Sequence, residues 1–302
     1  CLSNFVSEPF LKGVRDFLAV LPADLRHGYT TSGQSECVDK VTKAIWVKSE
    51  AQIREKHINK MLTFKNHFFG NGSMLARSLS LENDPYFKVT HLPNPNENDY
   101  KEVLKLVEKE FATGEYLATW VEPVLQKTME KVPYEFLRGL RELATRYKVA
   151  LVYNESASQF FRFSQKQFMA SCFSEITPDA GMIYFSGQSG IAFTSTKYFL
   201  EQPLMMISTW DGDEFHFLSY YHAYKTVMEK LEDYKETAKN FHDKLIDQLS
   251  RYEIDAIKID NGFGYFKGSI PASMSKMFVL NKKNGHYLVC PSYDAMKEYL
   301  ES

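Results

Sequence analysis

No apolar run in this sequence approaches the roughly 18 residues that a bilayer-spanning helix needs, so no membrane span is expected. Cysteine is scarce: Cys1, Cys37, Cys172 and Cys290 stand far apart, and none belongs to a CxxC pair. That spacing excludes a zinc ribbon or a disulfide framework and fits reduced thiols in a cytoplasmic or organelle-matrix compartment. An excess of one charge is also missing. With 36 Lys and Arg against 38 Asp and Glu, nothing draws the chain electrostatically to nucleic acid or to an anionic membrane. Repeats and low-complexity tracts are absent as well, and no targeting segment is visible from Cys1 onward. The chain opens on Cys1 rather than Met. We read that as an upstream cut, not as a lipid anchor or an N-terminal nucleophile.

What is present is ample core-forming material. Across 302 residues, 44% are apolar, enough for one large domain or two ordinary ones. Residues 35–60 (SECVDKVTKAIWVKSEAQIREKHINK) carry Val38, Val41, Ile45 and Trp46 at helical spacing and predict one helix, followed by a strand at 61–64. Residues 81–98 hold Pro85, Pro93, Pro95 and several Asn and predict a surface loop. An amphipathic helix (DYKEVLKLVEKEFA) and a strand (YLATWVEP) come next. VPYEFLRGLRELATRYK then places Phe136, Leu140, Leu143 and Tyr147 on one helical face ahead of the continuous apolar run VALVYNE. Helix and then buried strand, repeated, is the pattern of a parallel α/β sheet. From Phe215 to Tyr252 the pattern predicts one long helix. Shorter strands (IDAIKI, KMFVL) and a helix from Tyr293 follow, which suggests a smaller second domain. The expected division is 1–228 and 229–302.

The pieces TTSGQSE, HFFG, TWVEPV, LRELATRYKVALVYNE, TPDAGMIYFSGQSG and ISTWDGD occur in an order that resembles the class III, pyridoxal-phosphate-dependent aminotransferases of fold type I. The STWDGD piece is most similar to the lysine 6-aminotransferase branch. The resemblance runs from about Gly28 to Lys230. It implies a mostly parallel central sheet flanked by helices, with a smaller C-terminal α/β domain. It also implies a dimer with sites at the subunit interface, either a homodimer or part of a larger assembly. Ser32, Gly33 and Gln34 take the place of the loop whose helix N-terminus holds the cofactor phosphate. Phe68 takes the place of the aromatic ring that stacks on the pyridine, and Thr209 that of the threonine reaching the partner's phosphate.

The departures fall where the chemistry belongs. The Schiff-base lysine of that family lies six residues after the Asp of Pro-Asp, a position held here by Phe185. A shift of one residue yields Tyr184 or Ser186, neither of them an amine. Asn154 replaces the Asp that keeps the pyridine nitrogen protonated, with Glu155 beside it, while Ser156 and Ala157 replace residues that face the ring. Lys127, Thr128 and Met129 replace the small residues and Glu after the Glu-Pro segment. Lys166 and Lys197, the nearest lysines in sequence, are expected to point elsewhere. The stretch before the phosphate loop and the C-terminal domain are both short for the family.

Other motifs carry little. SGQSG lacks the G-x-S-x-G spacing of a nucleophile elbow. In GFGYFKG, Lys267 stands where the dinucleotide fingerprint needs its third glycine. His216 and His222 are not four residues apart, so no metal site is expected. The sequence therefore reads as a catalytically inactive, aminotransferase-like protein. Phe185, Asn154 and Glu155 are vestigial catalytic positions, and no cofactor is expected. Its role would be that of a structural or regulatory subunit or a non-covalent ligand binder. The alternative is an unorthodox pyridoxal-phosphate or pyridoxamine-phosphate aminotransferase acting on the terminal amine of an amino acid such as lysine.

Overall fold

Alternation within each buried strand decides the layering. In the computed structural model, which describes residues 7–302 except 57, 97, 203, 208–210 and 282–284, strand β5 (Ala150–Asn154) sends Leu151 and Tyr153 to one face and Ala150 and Val152 to the other. Both sets are buried, because a strand in the middle of the sheet has helices on both sides. Helices α5 (Tyr100–Phe111) and α6 (Tyr134–Tyr147) cover one face through Val103, Val107, Phe111, Phe136 and Leu140. Helices α2 (Gln34–Lys48) and α4 (Met74–Ser80) cover the other through Val38, Val41, Ile45 and Leu79.

The sheet has seven strands. With β1 (His27–Thr31), β2 (Lys60–Phe64), β3 (Val89–Leu92), β4 (Tyr116–Val121), β6 (Ala180–Ser186) and β7 (Ser189–Thr194), the order is β1-β7-β6-β5-β4-β2-β3. Strands β3, β2, β4, β5 and β6 run parallel, whereas β7 is antiparallel to both neighbours. The predicted mixed α/β architecture with a mostly parallel sheet is the one observed. Helix α1 (Glu8–Leu18) packs with α7 (Glu214–Glu229) beside β6 and β7 in a third cluster around Phe17, Phe193 and Phe217.

A second, four-stranded antiparallel sheet is formed by β8 (Ile254–Asp260), β9 (Phe263–Gly268), β10 (Val279–Asn281) and β11 (His286–Val289) in the order β10-β11-β9-β8. Helices α8 (Leu231–Leu249) and α10 (Tyr293–Glu301) enclose its core of Phe241, Leu245, Phe266 and Met296.

Three sequence expectations are corrected. The helix expected over 35–60 is two helices, because α2 ends at its cap Ser49 and α3 (Glu50–Lys56) buries no residue. The expected surface loop at 81–98 contains β3, an edge strand between its prolines, where a missing N–H is tolerated. The long helix from Phe215 breaks at Lys230, which is both the C-cap of α7 and the N-cap of α8. The apolar spacing runs on through the break, but α7 buries Tyr221 and Tyr224 against the first domain and α8 buries Phe241 and Leu245 in the second. Among the described residues, no helix is long and apolar enough to cross a membrane.

Candidate functional site

In an open α/β sheet, ligands bind beyond the carboxyl ends of the parallel strands, where loops diverge and backbone groups remain free. Most of the positions singled out by sequence lie there: Phe68 after β2, Asn154 at the end of β5 with Glu155 beyond it, and Phe185 at the end of β6. Ser32, Gly33 and Gln34 open α2, whose Ser35 hydroxyl accepts the Gly72 N–H at 2.7 Å. That bond ties the α2 N-terminus to the loop carrying Phe68. Thr209 lies outside the described residues, as does Cys1.

Asn154 is fully buried and fully used. Its Nδ2 donates to the Phe68 carbonyl at 2.9 Å and faces Glu122 Oε1 at 3.5 Å. Its Oδ1 accepts from the Ser156 N–H at 3.1 Å and the Ser156 hydroxyl at 2.6 Å. That hydroxyl in turn accepts the Tyr184 N–H at 2.9 Å. The amide thus ties the β5 loop both to β6 and to the Phe68 loop.

Beneath it is a group that sequence reasoning passed over. Glu122, buried, accepts the Phe68 N–H at 2.7 Å and the Gln126 N–H at 3.2 Å. Burial nevertheless dominates and pushes its carboxyl up to about 8. The Glu122 N–H donates to His67 Nδ1 at 2.9 Å, so His67 carries its proton on Nε2, which is buried with no partner among the described residues. Burial holds this imidazole down to about 3. Lys127 donates to the His67 carbonyl at 3.2 Å, and its ammonium lies 5.5 Å from the centre of the Phe68 ring. Of the lysines considered, Lys127 is the one against the Phe68 ring. Lys166 lines a separate cleft with Val20, Cys172 and Lys235, and Lys197 lies over Tyr198.

Glu155 is turned inward as well. It accepts from the Ser158 hydroxyl and from the Ser171 N–H at 2.7 Å, and burial raises its carboxyl above the ordinary range. Its contacts pin the loop after β5. Asp179 of the Pro-Asp pair accepts from the Leu151 N–H and from Arg141, both at 2.8 Å, and fixes the start of β6.

At the other end of β6 the register shifts between Tyr184 and Ser186. Phe185 is half-buried among Phe17, Phe217 and Tyr220, and stacks on Tyr220 with 3.9 Å between ring centroids. The mouth of α2 is likewise filled from within. Glu36 Oε2 accepts both the Ser32 N–H at 2.6 Å and the Ser32 hydroxyl at 2.7 Å. Glu36 is the third helical residue, the position from which a carboxylate reaches back to cap. The sequence signal for this was a Glu three residues after the cap Gly33.

Pyridoxal phosphate would need an amine at the end of β6, a free anion cradle at α2 and a carboxylate at its pyridine nitrogen. The chain offers a stacked phenyl ring, a cradle answered by its own Glu36, and an amide whose polar atoms are all engaged. These residues do not fit that group held in the manner the resemblance implies. Among the described residues, no cluster of three or more His, Cys, Asp or Glu could hold a metal ion.

No protein-family model matches the chain, and no curated protein matches it in sequence. Solved structures do match in fold. A transaminase from the marine bacterium Virgibacillus superposes with a TM-score of 0.78 at 15% identity, covering 100% of this chain and 79% of that one. The omega transaminase of Pseudomonas jessenii, solved with PMP, gives 0.77 at 14% identity over 99% and 78%. A thermostable (S)-enantioselective omega-transaminase from Thermomicrobium roseum gives 0.75 at 13% identity over 98% and 78%. The chain has the transaminase fold.

Proposed function

We propose that this chain is an aminotransferase-like protein without transaminase activity, acting as a structural or regulatory subunit or as a non-covalent ligand binder. The observation that carries the reading is the packing of Phe185. A phenyl ring can neither form an imine nor move a proton at a substrate carbon. Its neighbours Tyr220, Phe17 and Phe217 hold it in an aromatic cluster rather than leaving an open socket. The amide at Asn154 and the self-capped α2 support the same reading, and no bound cofactor is required by it. As in the family it resembles, the subunit would pair with a second copy or with a related chain.

The test is reduction with borohydride after incubation with pyridoxal phosphate, followed by peptide mass spectrometry, alongside an assay for amino transfer from lysine to a 2-oxo acid. We expect no pyridoxyl group on residues 176–193 and no transfer. Amino transfer together with an adduct on Lys127, Lys166 or Lys197 would overturn the reading. It would favour a working aminotransferase with unorthodox residues.

A further inference from the structure

The loop after β5 does something that the strand-end site does not explain. Phe160 and Phe161 both adopt left-handed backbone, with φ of 57° and 63°. Two bulky residues in succession in that region are disfavoured, and such strain persists only where the surroundings impose it. The result is that Phe160 packs edge-on against Phe168 and Tyr220, Phe161 packs against Phe168, and the next side chain, Arg162, is delivered onto the face of Phe263 in the second domain, 5.4 Å from its centre.

Arg162 borders a cleft of about 400 Å³ whose walls include Phe160, Phe161, Tyr234, Phe263 and Tyr293. Tyr234 and Tyr293 stack with 3.9 Å between centroids and 17° between planes, so that the wall of the cleft includes a two-ring aromatic stack. Among the described residues the guanidinium of Arg162 has neither an ion pair nor a hydrogen-bond acceptor, and its Nε is buried. A half-buried cation in an apolar cleft is costly unless an anion meets it. Stacking on Phe263 leaves the edge of the guanidinium fork, which matches a carboxylate, as its recognition surface.

We propose that this cleft binds a small aromatic carboxylate, with Arg162 taking the carboxylate and the Tyr234–Tyr293 wall taking the ring. An inorganic phosphate fits less well, because it would leave the apolar walls and the aromatic stack of the cleft uncovered. Phe160 and Tyr220 separate the cleft from Phe185, and the proposal stands whatever the strand-end site does.

The experiment titrates the full chain with benzoate, phenylacetate, 3-phenylpropionate and indole-3-acetate, each beside its neutral amide, by calorimetry and ligand-observed NMR. At least one acid is expected to bind about tenfold more tightly than its amide. Arg162→Met should remove that tenfold advantage while leaving the amide's affinity unchanged. Arg162→Lys should keep part of it, since a point charge lacks the fork. Equal binding of acid and amide across all four pairs overturns the proposal, and so does an acid affinity that Arg162→Met leaves intact. Should Arg162→Met fail to fold, as judged by its melting curve, the acid-against-amide comparison on the unaltered chain decides alone.

Discussion

The ring of Phe185 lies nearly parallel to that of Tyr220, 3.9 Å apart with 21° between planes. Phe185, which stands where the resemblance implies an amine, is therefore part of the contact between β6 and α7. Phe17 of α1 meets the same ring edge-on at 5.3 Å, so changing this position disturbs three elements at once.

Phe185→Lys is expected to lower stability by about 2–3 kcal/mol, since it removes a half-buried ring and sets an ammonium among aromatic rings. It should gain at most covalent capture of pyridoxal phosphate, visible by absorbance, and no transamination. Urea midpoints and a lysine turnover assay check both statements. Turnover at a rate normal for a transaminase would show that Asn154 is not disabling.

Asn154→Asp does not simply restore a missing carboxylate. The amide Nδ2 that it removes donates to the Phe68 carbonyl and faces Glu122 at 3.5 Å. A carboxylate there would meet the Phe68 carbonyl and, once Glu122 ionises, a second carboxylate in a buried place. We expect a loss of about 2–3 kcal/mol, larger at pH 9 than at pH 6 because Glu122 ionises between them. A variant as stable as the parent at both pH values contradicts this account.

Glu36→Gln tests whether the chain's own carboxylate occupies the anion cradle. Gln can still accept the Ser32 N–H, but the negative charge at the helix N-terminus is gone. Affinity for inorganic phosphate or pyridoxal phosphate should rise about tenfold, while stability falls by less than about 1 kcal/mol. Calorimetry and thermal melts read the two effects. Unchanged phosphate affinity would mean that Glu36 does not compete for the site.

Glu122, held up to about 8 by burial, makes stability depend on pH. Its folded value exceeds its unfolded one, so the native state retains a proton that the unfolded chain releases. Stability is full below the unfolded value and is lost as pH rises through about 8. His67 has the opposite dependence, because burial depresses it to about 3. Its contribution is present above the ordinary histidine value and lost below it. Above roughly pH 6.5 only the Glu122 slope of this pair should remain. There, Glu122→Gln should flatten the melting-temperature profile by the equivalent of about 2 kcal/mol, the part of the effect that falls between roughly pH 6.5 and about 8. Parallel profiles for parent and variant would count against this assignment.

Association is the last expectation. Leu11 and Ile207 line one open cleft beside α1 and β1 and are 58% and 63% exposed, apolar surface that a second copy would cover. Light scattering should report a dimer, and Ile207→Asp should shift it toward monomer. A parent chain that remains monomeric at high concentration sinks the idea.

Much of the first domain was legible in the sequence because its strands are buried on both faces and its helices have one apolar stripe. VALVYNE and the Phe136–Tyr147 stripe could form little else. The second domain was less legible. KMFVL and IDAIKI show the tendency to form strands, but the pairing of β8 with β9 through Asn261 and Gly262 depends on partners that periodicity does not name. The break at Lys230 escaped for the same reason: spacing tells which side of a helix is apolar, not which domain covers it.

For the candidate site the division is sharper. The sequence alone determined which groups are present: a phenyl ring at 185, an amide at 154 and no nearby amine in the strand-end motif. Those are facts of covalent chemistry, and no packing changes them. Tertiary structure decided what each group touches. It placed Glu36 in the anion cradle, buried Glu122 under Asn154, set Lys127 on Phe68 and left Arg162 without an acceptor among the described residues, over an aromatic cleft. Such relations join residues tens of positions apart, and their energies come from burial and distance, which a linear sequence does not contain.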